Sequence, residues 1–121
     1  MGVTQFHHAN LGIPEDGVEE QTRWLVDILG YRQIGVAPDW PKSGPYWFEA
    51  DDGSQIHLSR DAQHRPAAMA HVALVFDDLD AVRHRLDEQG VTYDLSDRPD
   101  VQVLNCSDPA GNRWELRTKV S

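Results

Sequence analysis

A single cysteine, Cys106, occurs among the 121 residues, so no disulfide can close within the chain and a reducing cytoplasm is the expected compartment. Nothing in Leu104-Asn105-Cys106-Ser107 marks that thiol as activated. Long apolar runs are also missing. No stretch approaches the roughly 18 apolar residues of a membrane span, and Met1 to Phe6 lacks the basic segment and apolar run of a leader. Positive charge is scarce: 11 Lys and Arg stand against 20 Asp and Glu, for a formal charge of −9. Such a field repels phosphate backbones and anionic lipid, so neither nucleic acid nor membrane is an expected partner. A neutral or cationic small molecule is easier to accommodate. The remainder is ordinary globular composition, with 40% hydrophobic and 26% charged residues, sized for one compact domain with a packed core.

Inside that one domain the chain repeats itself at an offset of about sixty residues. His8-Ala9-Asn10-Leu11-Gly12-Ile13 recurs in type as His71-Val72-Ala73-Leu74-Val75-Phe76, and acidic residues follow each. A helical pattern comes next, with Val18, Leu25, Ile28 and Leu29 on one stripe in the first half and Leu79, Val82 and Leu86 in the second. Both helices are expected to stop at a glycine, Gly30 and Gly90. Short β-type runs then follow: Tyr31 to Val36, Tyr46 to Ala50 and Gln55 to Ser59, matched by Val91 to Leu95, Val101 to Cys106 and Arg113 to Thr118. Each half therefore reads β-α-β-β-β, with a module at about 4–60 and another at about 69–119. The polar run Arg60 to Met69 is the expected linker, and Ala37 to Pro45, rich in proline, an expected loop able to overhang a pocket.

Strand parity then sorts the side chains into faces, because successive residues of a strand point to opposite sides. Leu11, Ile13, Leu74, Phe76, Ile56, Leu58, Trp114 and Leu116 fall on the parity that packs under helices. His8, His57, His71 and Glu115 all fall on the other, which becomes a concave pocket if the sheet curves. Imidazole nitrogens with one carboxylate suit Fe, Ni, Zn, Mn or Co and leave positions open for substrate. His7 has the wrong parity, His64 lies in the linker and His84 on a helix, so these three read as surface residues. The aromatic run Tyr46-Trp47-Phe48 reads as core packing or as a platform for a ligand, and Trp114 as core.

The runs His71-Val72-Ala73-Leu74-Val75-Phe76-Asp77-Asp78-Leu79 and Asp108-Pro109-Ala110-Gly111-Asn112-Arg113-Trp114-Glu115-Leu116 resemble the second module of the vicinal oxygen chelate superfamily. That superfamily includes glyoxalases, bleomycin resistance proteins and ring-cleaving dioxygenases, and the resemblance covers almost the whole chain. It implies an α+β fold in which two βαβββ modules form a curved mixed-sheet cup with helices outside. It further implies a divalent metal ion held by His8, His57, His71 and Glu115, with His57 and Glu115 as catalytic groups. A small-molecule substrate chelated through vicinal oxygens and a homodimer belong to the same expectation, with isomerase, lyase or dioxygenase chemistry. Glyoxalase-type isomerases usually carry Glu or Gln where His57 stands. The alternative that the resemblance leaves open is a metal-free protein that sequesters a bleomycin-like drug, for which acidity and Trp40, Trp47 and Trp114 would be suited.

Overall fold

The computed structural model describes residues 2–35 and 46–120. The expected loop Ala37 to Pro45, with Trp40, lies outside the described residues. The chain divides into two compact units, Met1–Arg65 and Pro66–Ser121. The first runs β1 (His8–Ile13), α1 (Val18–Arg23) continued by a π-helical turn (Trp24–Ile28), β2 (Arg32–Ile34), β3 (Tyr46–Glu49) and β4 (Gln55–Arg60). The second runs β5 (His71–Val75), α2 (Leu79–Glu88), β6 (Tyr93–Asp97), β7 (Gln102–Ser107) and β8 (Arg113–Arg117).

The two sheets have the same design, ordered β1-β4-β3-β2 and β5-β8-β7-β6. First and last strands pair in parallel in each, and the other neighbours are antiparallel. Parallel pairing demands a long crossover, which the helix and the two intervening strands supply. The expected βαβββ modules and mixed sheets are therefore present. Strands β2 and β6 begin a little later than their sequence suggests, for one reason. Gly30 and Gly90 take φ values of 85° and 69°, and the amides of Tyr31 and Val91 close back on the carbonyls of Leu25 and Leu86, each at 2.9 Å. Tyr31 and Val91 are thus spent on ending a helix, a turn that the missing Cβ of glycine permits.

Burial follows the parity. Ile13, Phe48, Ile56 and Leu58 are buried in the first unit, and Leu104, Trp114 and Leu116 in the second, together with Leu79, Val82 and Leu86 of α2. On α1 the structure departs from the expected stripe. Leu25, Ile28 and Leu29 are buried, but so are Trp24 and Gln21. The Leu29 amide donates to the Trp24 carbonyl at 3.1 Å across five residues, and this wider turn takes in an extra residue. Gln21, Trp24, Leu25 and Ile28 are spaced by three and four residues, so a 3.6-residue period already puts Trp24 on their stripe. Strands β1 and β5 each end their sheet, and on β5 Val75 remains 60% exposed.

Candidate metal-binding faces

In the first unit, the face opposite the apolar one is organised around His57. Trp47 and His57 are register partners on β3 and β4, with ring centroids 4.8 Å apart and planes 15° from parallel. His8, one strand further on β1, stacks on the other side of His57 at 4.0 Å and 13°. Enclosed by two rings, His57 is only 8% exposed although its face is the open one. Burial, then the nearby positive charges of His8 and His7, pushes its pKa down to about 4. His57 is therefore a neutral imidazole at physiological pH, the form that a cation binds.

Hydrogen bonds orient that ring. His57 Nε2 lies 2.8 Å from Gln55 Oε1, and the Gln55 amide nitrogen donates to Glu49 Oε1 at 3.5 Å. Arg32 closes the chain, with Nη2 3.6 Å from Glu49 Oε2 and Nη1 2.6 Å from Asp51 Oδ1. With the amide oxygen facing the ring, His57 donates from Nε2 and carries its lone pair on Nδ1. On β1, His8 Nδ1 lies 2.7 Å from His7 Nδ1, with the two rings edge to face at 5.0 Å. His7 is exposed, as expected of a surface residue, and it still contacts His8. It precedes β1, so strand alternation does not govern it, and its carbonyl accepts from the Gln55 amide at 2.9 Å.

The second unit presents a simpler pair. His71 Nε2 lies 3.9 Å from Glu115 Oε1, while His71 Nδ1 donates to the Met69 carbonyl at 2.9 Å. That backbone bond fixes the neutral ring with its lone pair on Nε2, the common support of a histidine that binds metal. In that neutral form Nε2 is an acceptor facing the Glu115 carboxylate, whereas a protonated ring would form an ion pair across the same gap. The gap is somewhat wider than two donors on one ion at about 2.1 Å each would span, and a small rotation of either side chain closes it. Glu115 is also paired with Arg117, whose Nη1 lies 3.2 Å from Oε2.

Among the described residues no three His, Cys, Asp or Glu side chains are grouped as a metal site. Each unit instead brings two of the four expected residues together, His8 with His57 and His71 with Glu115. The donor chemistry of both pairs fits a divalent ion. His84 pairs with Glu88 on α2 at 2.7 Å, and the His64 ring rests against Gly12, where an added Cβ would come within 3.1 Å of Nδ1. Burial, with Asp108 adding to it, raises the Cys106 thiol to about 12, so no thiolate is available there. Gln55, Glu49 and Arg117 were not among the expected site residues. Their shared parity with His57 and Glu115 was the available signal.

The sequence model of the Glyoxalase/Bleomycin resistance protein/Dioxygenase superfamily matches residues 5–116. A search of curated proteins finds no match. Among solved structures, a protein assigned to the glyoxalase family from Bacillus anthracis is 27% identical, with TM-score 0.85 and 98% of each chain covered. The fosfomycin resistance protein FosX from Mesorhizobium loti is 17% identical, with TM-score 0.76, covering 99% of this chain and 95% of that one. Oxidase ChaP-H2 is 21% identical, with TM-score 0.74, covering 98% and 95%. The last two likenesses concern the fold. Repeated βαβββ modules, the matched span of sequence and the agreement with solved folds lead to one assignment: the chain belongs to the glyoxalase/bleomycin resistance protein/dioxygenase superfamily.

Proposed function

We propose that the protein is a metal-dependent enzyme acting on a small oxygen-rich molecule, in which one divalent ion draws on His8, His71 and Glu115, with His57 as a fourth ligand or as a general base. The observation that carries this reading is the pair in the second unit, where Met69 fixes His71 so that its Nε2 lone pair faces Glu115 Oε1. A bound ion would supply Lewis acidity, stabilising negative charge that develops on a chelated substrate oxygen. The chain's own contribution is orientation and proton handling. His57, neutral and gripped between Trp47 and His8, offers Nδ1 either to the ion or to a substrate proton. Relatives named as a fosfomycin resistance protein and an oxidase favour small-molecule chemistry without selecting isomerisation, ring cleavage or addition to an epoxide.

Calorimetric titration of Zn²⁺ into metal-stripped protein tests the ligand set. His8→Ala, His71→Ala and Glu115→Gln should each weaken binding by no less than the roughly 10- to 100-fold typical of losing an outer-shell partner. Binding that survives all three substitutions would end the proposal.

A homodimer belongs to the same reading. Strands β1 and β5, which carry the first proposed ligand of each module, both stand at an end of their sheet, and Val75 lies exposed on β5. Light scattering at micromolar concentration should give twice the mass of the chain. A strictly monomeric mass would contradict it.

A further inference from the structure

On the open face of the first unit, Arg32, Glu49 and Gln55 are successive register partners across β2, β3 and β4, and His57 follows Gln55 on the same face of β4. The four side chains are linked end to end. Arg32 Nη2 lies 3.6 Å from Glu49 Oε2, Gln55 Nε2 lies 3.5 Å from Glu49 Oε1, and Gln55 Oε1 lies 2.8 Å from His57 Nε2. A second ion pair, Arg32 Nη1 with Asp51 Oδ1 at 2.6 Å, holds the guanidinium at its end of the row.

The row can run in only one sense. A guanidinium only donates and an ionised carboxylate only accepts, so Glu49 receives from both sides. The Gln55 amide must then turn its NH₂ to Glu49 and its oxygen to the ring. At 3.5 Å that contact is long, but the choice it decides is between an N–H and an oxygen facing a carboxylate, and only the first is attractive. His57 meets the amide oxygen with an N–H, which leaves the lone pair of the neutral ring on Nδ1. No described residue hydrogen-bonds that nitrogen. The second unit provides the contrast: Arg113 and Ser107 hold the places of Gln55 and Glu49, and among the described residues no side-chain hydrogen bond joins them. Glu115 stands there in the place of His57, and a carboxylate has no tautomer to set.

We propose that Glu49, held by Arg32, is a positioning residue that acts through Gln55 to set the tautomer of His57, so that the ring presents a lone pair at Nδ1 and never an N–H. A ligand group that meets this nitrogen must be a proton donor, such as a hydroxyl or an acidic C–H, or a cation. A carbonyl or carboxylate oxygen is turned away. The use of Nδ1 toward a substrate rests on the function proposed above, whereas the tautomer rests on the first unit alone.

The test reads the ring in metal-free protein carrying ¹⁵N-histidine, at about pH 9, well above the ordinary imidazole pKa. Two-bond ¹H–¹⁵N spectra report which ring nitrogen bears the proton, and His57→Phe assigns the signals by their loss. The wild-type ring should be protonated on Nε2. In Glu49→Gln, an isosteric change, Arg32 takes the oxygen of the new amide and its NH₂ faces Gln55. Gln55 then turns over and offers its own NH₂ to the ring, and the tautomer ratio should move toward Nδ1–H by about tenfold or more. Combining Glu49→Gln with Gln55→Glu moves the carboxylate one place along the row and should restore Nε2–H. If Glu49 only braced the strands, neither change would alter which nitrogen is protonated. A wild-type ring protonated on Nδ1, an unmoved ratio in Glu49→Gln, or no recovery in the double variant would each overturn the proposal, whether or not the protein takes up Zn²⁺. Failure to take up Zn²⁺ would overturn the metal reading and leave this one standing.

Discussion

Asp108→Ala is expected to destabilise the protein by about 3–5 kcal/mol, the size seen when a buried hydrogen-bonded network loses its charged centre. Asp108 is 5% exposed, and its carboxylate accepts hydrogen bonds from Ala110, Asn112 and Trp114. Its Oδ1 takes the amides of Ala110 and Asn112 and its Oδ2 takes the indole N–H of Trp114, all at 2.9 Å. One carboxylate thereby closes the β7–β8 turn and anchors a tryptophan that is 1% exposed. Alanine would strand the indole donor in the core, where an unsatisfied group costs about 1–3 kcal/mol by itself. Asp108→Asn should cost less, because its oxygen can still take the two amides while its NH₂ meets the indole N–H badly.

The first unit provides an internal control for this assignment. Its β3–β4 turn has the same backbone bonds, Ala50 to Ser54 and Gly53 to Ala50, as Asp108 to Asn112 and Gly111 to Asp108. Ala50 and Ile56 there hold the places of Asp108 and Trp114, so acceptor and donor are absent together. Replacing both in the second unit, as Asp108→Ala with Trp114→Phe, should therefore recover about 1–2 kcal/mol relative to the sum of the separate losses. Urea denaturation of the four proteins measures the coupling. Additive losses would mean that the indole bond contributes nothing.

Lowering the pH of metal-free protein from 7 to 4 should reduce its stability through His57 by up to about 3 kcal/mol. The folded-state pKa is depressed from 6.5 to about 4, first by burial and then by His8 and His7. Between those two values the unfolded chain binds a proton that the native ring refuses. The contribution is full above about pH 6.5 and is lost as pH falls to about 4. His57→Phe preserves a flat ring between Trp47 and His8 and cannot titrate. Relative to His57→Phe, the wild type should lose this amount of unfolding free energy as the pH falls across the window. Parallel pH profiles would show that His57 is not held neutral.

The repeat, the module order and the buried faces could be read before any coordinates, because each depends on periods of 2 and 3.6 residues and on turn glycines. The pairing of His71 with Glu115 follows from parity and from the parallel register of β5 with β8. The remaining features depend on relations that a linear pattern does not contain. Trp47 reaches His57 only through the β3–β4 register. Gln55 looked like one more polar strand residue, and its bearing on His57 rests on where an amide oxygen points. Asp108 was visible within a recognisable run of residues, yet its grip on Trp114 spans six positions and a turn.

We propose one divalent ion with His8, His71 and Glu115 as ligands and His57 as a fourth ligand or a general base. Protein made without an affinity tag and dialysed against buffer should retain about one transition-metal ion per chain by elemental analysis, as a site of three or four nitrogen and oxygen ligands requires. Chains that carry no ion, and take none up when offered Zn²⁺, Ni²⁺, Mn²⁺, Co²⁺ or Fe²⁺, would contradict the account and favour a protein that binds its small molecule without metal.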